Sequence, residues 1–84
     1  MGNHLSTHQF NIPGWEIIYD NENSPRWITY GKDNRIMNIT ITPGWFGYEL
    51  KIVEGIKTKK ARCNNLREVG IYLSSMKPIH NIFS

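Results

Sequence analysis

A two-residue alternation of apolar and polar side chains runs through the middle of the chain, the signal of strands with one buried face. Trp15, Ile17 and Tyr19 alternate with Glu16, Ile18 and Asp20, which predicts a strand carrying the first three on a common face. The turn formers Asn21-Glu22-Asn23-Ser24-Pro25 interrupt it. Arg26 to Tyr30, rich in aromatic and β-branched residues, predicts a second strand. Gly31-Lys32-Asp33-Asn34 is a tight connection with Gly and Asn available for positive φ. The clearest strand is Arg35 to Thr42, where Met37, Ile39 and Ile41 oppose Asn38, Thr40 and Thr42. Pro43-Gly44 turns the chain, and Gly47 closes an exposed Trp45-Phe46 pair. Tyr48, Leu50 and Ile52 then alternate with Glu49, Lys51 and Val53. Beyond Glu54-Gly55, Ile56 to Cys63 predicts a short basic fifth strand.

The period changes once. Leu66, Val69, Gly70, Leu73 and Met76 recur at three- and four-residue intervals, one face of a helix, with Ile71 and Tyr72 widening the stripe. Asn65 followed by Glu68 is a capping box: the amide side chain accepts a first-turn N–H while the carboxylate reaches back. Gly70 on the inner face implies close approach to the sheet, and Lys77-Pro78 ends the helix. These elements predict an α+β fold: an antiparallel β-meander of four to five strands with one C-terminal α-helix packed on one face, in two layers. Residues 1–13 read as a flexible N-terminal arm docked through Phe10 and Ile12, residues 14–78 as the single domain, and 79–84 as a C-terminal tail.

Composition agrees with a small globular domain. The 84 residues permit one domain, and an apolar share of 39%, with three Trp, four Tyr and three Phe, is too rich for a disordered tail. No apolar run approaches the ~18 residues of a membrane span, and the start of the chain lacks the charged and apolar regions of a secretion signal, so a cytoplasmic, intracellular protein is expected. The single cysteine, Cys63, excludes an internal disulfide and a Cys-rich zinc site.

Charge changes the picture more. Residues 1–54 carry four cations against six acids, whereas 55–84 carry six cations against Glu68 alone, for an overall +3. Lys57, Lys59, Lys60 and Arg62 fall within six positions. Such a local field favours a polyanion, an anionic membrane surface or an acidic protein, although lysines on an edge strand also discourage pairing with other chains.

Catalytic constellations are missing from the pattern. There is no Gly-x-Ser-x-Gly elbow and no Gly-rich phosphate loop, and His4, His8 and His80 lie in the two tails. Cys63 beside Arg62 has the setting of a lowered thiol pKa, but a small buried residue leading into the helix is the preferred reading. No enzyme activity, metal or cofactor is expected. Met1-Gly2-Asn3-His4-Leu5-Ser6 fits the N-myristoylation form, for which the basic run would be the second membrane signal.

The remaining signal combines rings and cations. Trp15, Tyr19, Trp27, Tyr30, Trp45, Phe46 and Tyr48 all belong to the sheet half, and one small core cannot enclose them all. Rings on an uncovered sheet face offer stacking platforms for unpaired bases, with neighbouring cations for phosphates. Four strands followed by a helix resembles the order of elements in the single-stranded-DNA-binding transcriptional coactivators and their plant relatives, a likeness of architecture that carries no residues across. The expected activity is therefore non-catalytic binding of nucleic acid through Lys57, Lys59, Lys60, Arg62 and Arg67, with Arg26, Trp27, Trp45 and Phe46 as stacking or groove contacts. Phosphate is expected against the Asn64-Asn65 amides at the helix start. The other readings are a protein-interaction or accessory protein of a virus, phage or mobile element acting through the open sheet face, and a myristoylated membrane-associated protein. A homodimer is expected, because so small a core leaves a sheet face unmatched.

Overall fold

In the computed structural model, residues 10–76 are described, and they form a five-stranded antiparallel sheet with one helix. The strands are β1 (Glu16–Asp20), β2 (Arg26–Lys32), β3 (Arg35–Gly44), β4 (Gly47–Glu54) and β5 (Lys57–Cys63), followed by α1 (Leu66–Ser74). They lie side by side in chain order, so every connection is a local antiparallel turn. This is the predicted α+β meander with all five strands present. No helix among the described residues is long and apolar enough to cross a membrane.

Register assigns each side chain to a face. Ile28 pairs with Ile39 and Ile39 with Ile52, while Tyr30 pairs with Met37 and Ile41 with Leu50. All seven are buried, and with Val69 and Leu73 of α1 they form the core. The core also takes in Phe10 and Ile12, the two residues through which the N-terminal segment is expected to dock. Tyr30 donates its hydroxyl hydrogen to the Phe10 carbonyl at 2.5 Å, which ties this segment to β2. Burial pushes the Tyr30 phenol well above its usual range, with the Asp20 charge adding to the effect.

Two expectations about facing are corrected. The register slips between Ile17 and Tyr19, a β-bulge that inserts an extra residue into β1. Ile17 consequently stays on the helix side while Tyr19, opposite Thr29, moves to the uncovered face. On α1 the fully buried residues are Val69, Gly70 and Leu73, with Tyr72 and Met76 partly buried against the core; Leu66 and Ile71 are exposed, because a single helix on a sheet buries one narrow arc.

The capping box forms with one difference. Asn65 Oδ1 accepts the Glu68 N–H at 2.9 Å, but Glu68 reaches back to the Asn64 N–H, at 2.8 Å, rather than to Asn65 itself. The helix stops at Ser74 with Ser75 as its cap, before Lys77-Pro78, which lies outside the described residues together with the 79–84 tail. The β3–β4 turn depends on Gly47. Its φ is +141°, and a Cβ there would stand 2.4 Å from the Cys63 carbonyl oxygen, where β4 passes the corner between β5 and α1.

Candidate nucleic-acid interface

Strand alternation divides the basic run of β5 between two faces. Lys59 opposes Ile52 and Lys57 opposes Glu54, which puts both on the helix side. Lys60 opposes Lys51 and Arg62 opposes Glu49, which puts those two on the uncovered face. A linear cluster of four cations thus becomes two pairs pointing in opposite directions.

The uncovered face gathers more than its share of the pair. One row across the sheet reads Trp27, Thr40, Lys51, Lys60, since Trp27 pairs with Thr40, Thr40 with Lys51 and Lys51 with Lys60. A parallel row holds Tyr19, Thr29, Asn38, Val53 and Thr58. With strands ~4.8 Å apart, the distance from β2 to β5 along a row is about 14 Å. Aromatics occupy one end of this face and cations the other.

Trp27 is half-exposed, at 50%, yet held in place. Its indole N–H donates to Asn38 Oδ1 at 3.1 Å, and the Thr29 hydroxyl donates to the same oxygen at 2.7 Å. The ring is thereby drawn diagonally over β3 and fixed before any ligand arrives, so little rotamer entropy remains to be lost on stacking. Tyr19 stands beside it, also about half-exposed.

Lys51 and Lys60 face each other without an acid between them. The ion pairs among the described residues are Arg26–Asp20 and Arg35–Glu54, both on the helix side. Like charges directly opposite on neighbouring strands are destabilising. A polyanion laid across this row would relieve that repulsion.

Other expected contacts are placed differently. Arg26 opposes Ile41 on the helix side, donates to both Asp20 oxygens at 2.9 and 2.7 Å, and lies 4.7 Å from the centre of the Phe10 ring. The Asp20 hydrogen bond raises its pKa against the opposing effect of burial, so its charge is held by Asp20 and it is not a free contact for a ligand. Trp45 and Phe46 form the two-residue tip between paired Gly44 and Gly47, 96% and 87% exposed. They are beyond the row of Thr42, Glu49 and Arg62 rather than on the face itself. Arg67 is exposed in the first turn of α1. The phosphate site expected at Asn64-Asn65 is already filled: the Glu68 carboxylate takes the Asn64 N–H, and its negative charge opposes an anion there.

Cys63 is buried, and burial pushes its thiol up, with Glu68 acting in the same sense. Arg62 does not activate it because adjacent strand residues point to opposite faces. Among the described residues no three metal-ligating side chains come together. His4, His8, His80 and the myristoylation pattern at Met1 to Ser6 lie outside them.

Lys51, Tyr19 and Asn38 are the residues that sequence reasoning left out of the candidate set. Lys51 was legible, since Leu50 and Ile52 inward oblige Lys51 outward. Tyr19 was not, because the bulge that turns it carries no local sequence signal. Comparison of the chain with protein-family models, with curated proteins and with solved structures returned no match.

Proposed function

We propose that this chain is a small, non-catalytic binding module for single-stranded nucleic acid that works inside the cell. The observation that carries this reading is the uncovered sheet face, where Tyr19 and a pre-fixed Trp27 stand at one end and Lys51, Lys60 and Arg62 at the other, these cations making no ion pair among the described residues although Arg62 lies opposite Glu49. Unpaired bases stack on the rings, and the phosphates between them lie along the cationic half. The set is revised accordingly: Lys60, Arg62 and Trp27 stay, Lys51 and Tyr19 enter, and Arg26 leaves. Trp45, Phe46 and Arg67 extend the surface past one end of the sheet.

Fluorescence anisotropy with a short oligothymidylate and with a duplex of equal length, each at 50 and 200 mM salt, tests the proposal. Neutralisation of three phosphates gives log K a slope of about −2 against log salt for a single strand, or roughly a 20-fold weakening over that interval. The single strand should bind more tightly than the duplex, whose bases are unavailable for stacking. Absence of binding to either form at low salt would reject the proposal.

The bare Trp45-Phe46 tip favours a second reading, insertion of two rings into an apolar pocket of a partner protein, including a second copy of this chain. That interaction would persist at high salt, and Trp45→Ser would abolish it while weakening oligonucleotide binding less than Trp27→Ser does.

A further inference from the structure

The short helix leaves part of its side of the sheet uncovered, and a cavity of about 280 Å³ opens there, between the Ile12–Trp15 segment, strands β3 to β5 and the end of α1. Met37 and Ile52 line it from the sheet, with Ile12, Trp15 and Met76 adding apolar surface. The volume falls near the lower limit of ~300 Å³ for ligand pockets, which restricts an occupant to a fragment-sized molecule.

The charges around this apolar space are strongly one-sided. Its one acid, Glu54, is engaged by Arg35, whose Nε donates to Glu54 Oε2 at 2.7 Å. Lys57 stands opposite Glu54 in the ladder but makes no ion pair with it. Lys59 has its ammonium 5.8 Å from the centre of the Tyr72 ring and no acid within reach among the described residues. Two cations are thus left uncompensated at an apolar cavity. Tyr72, also in its wall, has a buried hydroxyl with no hydrogen-bond partner among the described residues. That hydroxyl is closed to solvent, so Tyr72 offers an occupant its ring and not its oxygen.

We infer that this cavity binds a small organic anion, an apolar body carrying one carboxylate. The body packs on Trp15, Met37 and Ile52, and the carboxylate meets Lys59 and Lys57. The site is independent of the open sheet face, since Lys57 and Lys59 point away from Lys60 and Arg62.

The test is a titration of the ¹⁵N-labelled full chain with octanoate and with 1-naphthoate, followed by amide and indole shifts, with 1-octanol as the uncharged control. Saturable shifts at the Trp15 indole and at Ile52, Thr58 and Tyr72 are expected for a carboxylate, and the stronger of the two acids identifies an aliphatic or an aromatic body. Lys59→Gln should weaken binding about tenfold, the loss of a charge-assisted contact, whereas Lys60→Gln on the other face should leave it unchanged. The inference is overturned by the absence of saturable shifts up to about 10 mM, beyond which binding carries no specificity. Equal binding of octanol, or equal weakening by Lys60→Gln, would overturn it as well.

Discussion

Lys60→Glu should make the protein more stable and a poorer ligand for nucleic acid at once. Lys51 and Lys60 are direct neighbours across β4 and β5, both exposed. Their Cβ atoms are therefore ~5 Å apart, and cross-strand pairs at that distance contribute roughly 0.2–1 kcal/mol. Reversing one charge turns a repulsion into an attraction, so the gain, discounted for solvent screening, is about 0.5–1 kcal/mol. For a domain of this size that raises Tm by about 2–8 °C. Loss of one phosphate contact at 0.1 M salt should weaken single-strand binding at least ~5-fold. Thermal melts at low salt and anisotropy titrations on the same samples read the two effects. Lys51→Glu should behave alike, and the double reversal closes a mutant cycle: the repulsion returns with opposite sign, so the stability gain disappears while binding stays lost. At 1 M salt the stability gain should shrink, since the Debye length is then only ~3 Å. A double variant as stable as the sum of the singles would show that the two side chains do not meet. Binding unaffected by either reversal would remove the open face from the functional account.

Three further outcomes follow from the core and the turns. Leu73→Ala removes a fully buried side chain from α1 and should lower stability by ~2–5 kcal/mol in urea unfolding; wild-type stability would mean the helix does not dock by this face. Gly47→Ala should lose on the order of 2 kcal/mol, because the added Cβ meets the Cys63 carbonyl in a backbone region alanine avoids; Gly55→Ala, with open space at its Cβ, should lose less. The Tyr30 phenol is raised in the folded state above its unfolded value of ~10, so its contribution is complete below that pH and is lost as pH rises past it. Melts between pH 8 and 11.5 should show a decline beginning near pH 10 that Tyr30→Phe makes shallower, the variant itself being about 1–2 kcal/mol less stable for the unpaired Phe10 carbonyl.

Much of this fold was legible in the residue pattern. Met37, Ile39, Ile41, Leu50 and Ile52 alternate without interruption, and a period of two on adjacent antiparallel strands allows one arrangement that buries them together. The capping pair Asn65 and Glu68 marked the helix start for the same local reason. What escaped was decided by longer-range geometry. The β1 bulge sends Tyr19 to the opposite face from Ile17. Arg26 reads as a free cation beside a turn until the fold brings Asp20 within 2.7 Å of it. The candidate site was legible in its residue types but not in its membership, because a cluster on the line of the chain is not a cluster on a strand.

That distinction decides how β5 can work. Had Lys57, Lys59, Lys60 and Arg62 belonged to a helix turn or a loop, they would have made a single patch of four charges for one polyanion. On a strand each face receives two. The pair on the uncovered face finds Lys51 beside it and two rings at the far end of the same face, on β1 and β2, a setting suited to an extended chain with alternating bases and phosphates. The pair on the helix side finds apolar walls around a confined volume, a setting that excludes a polymer and admits a small amphipathic anion. Both settings share an edge strand whose outer backbone groups pair with no other strand among the described residues, so its cations also discourage addition of a further chain along that edge. Substituting the lysines one face at a time separates these roles: changes at Lys60 and Arg62 should act on oligonucleotide binding alone, and changes at Lys57 and Lys59 on carboxylate binding alone.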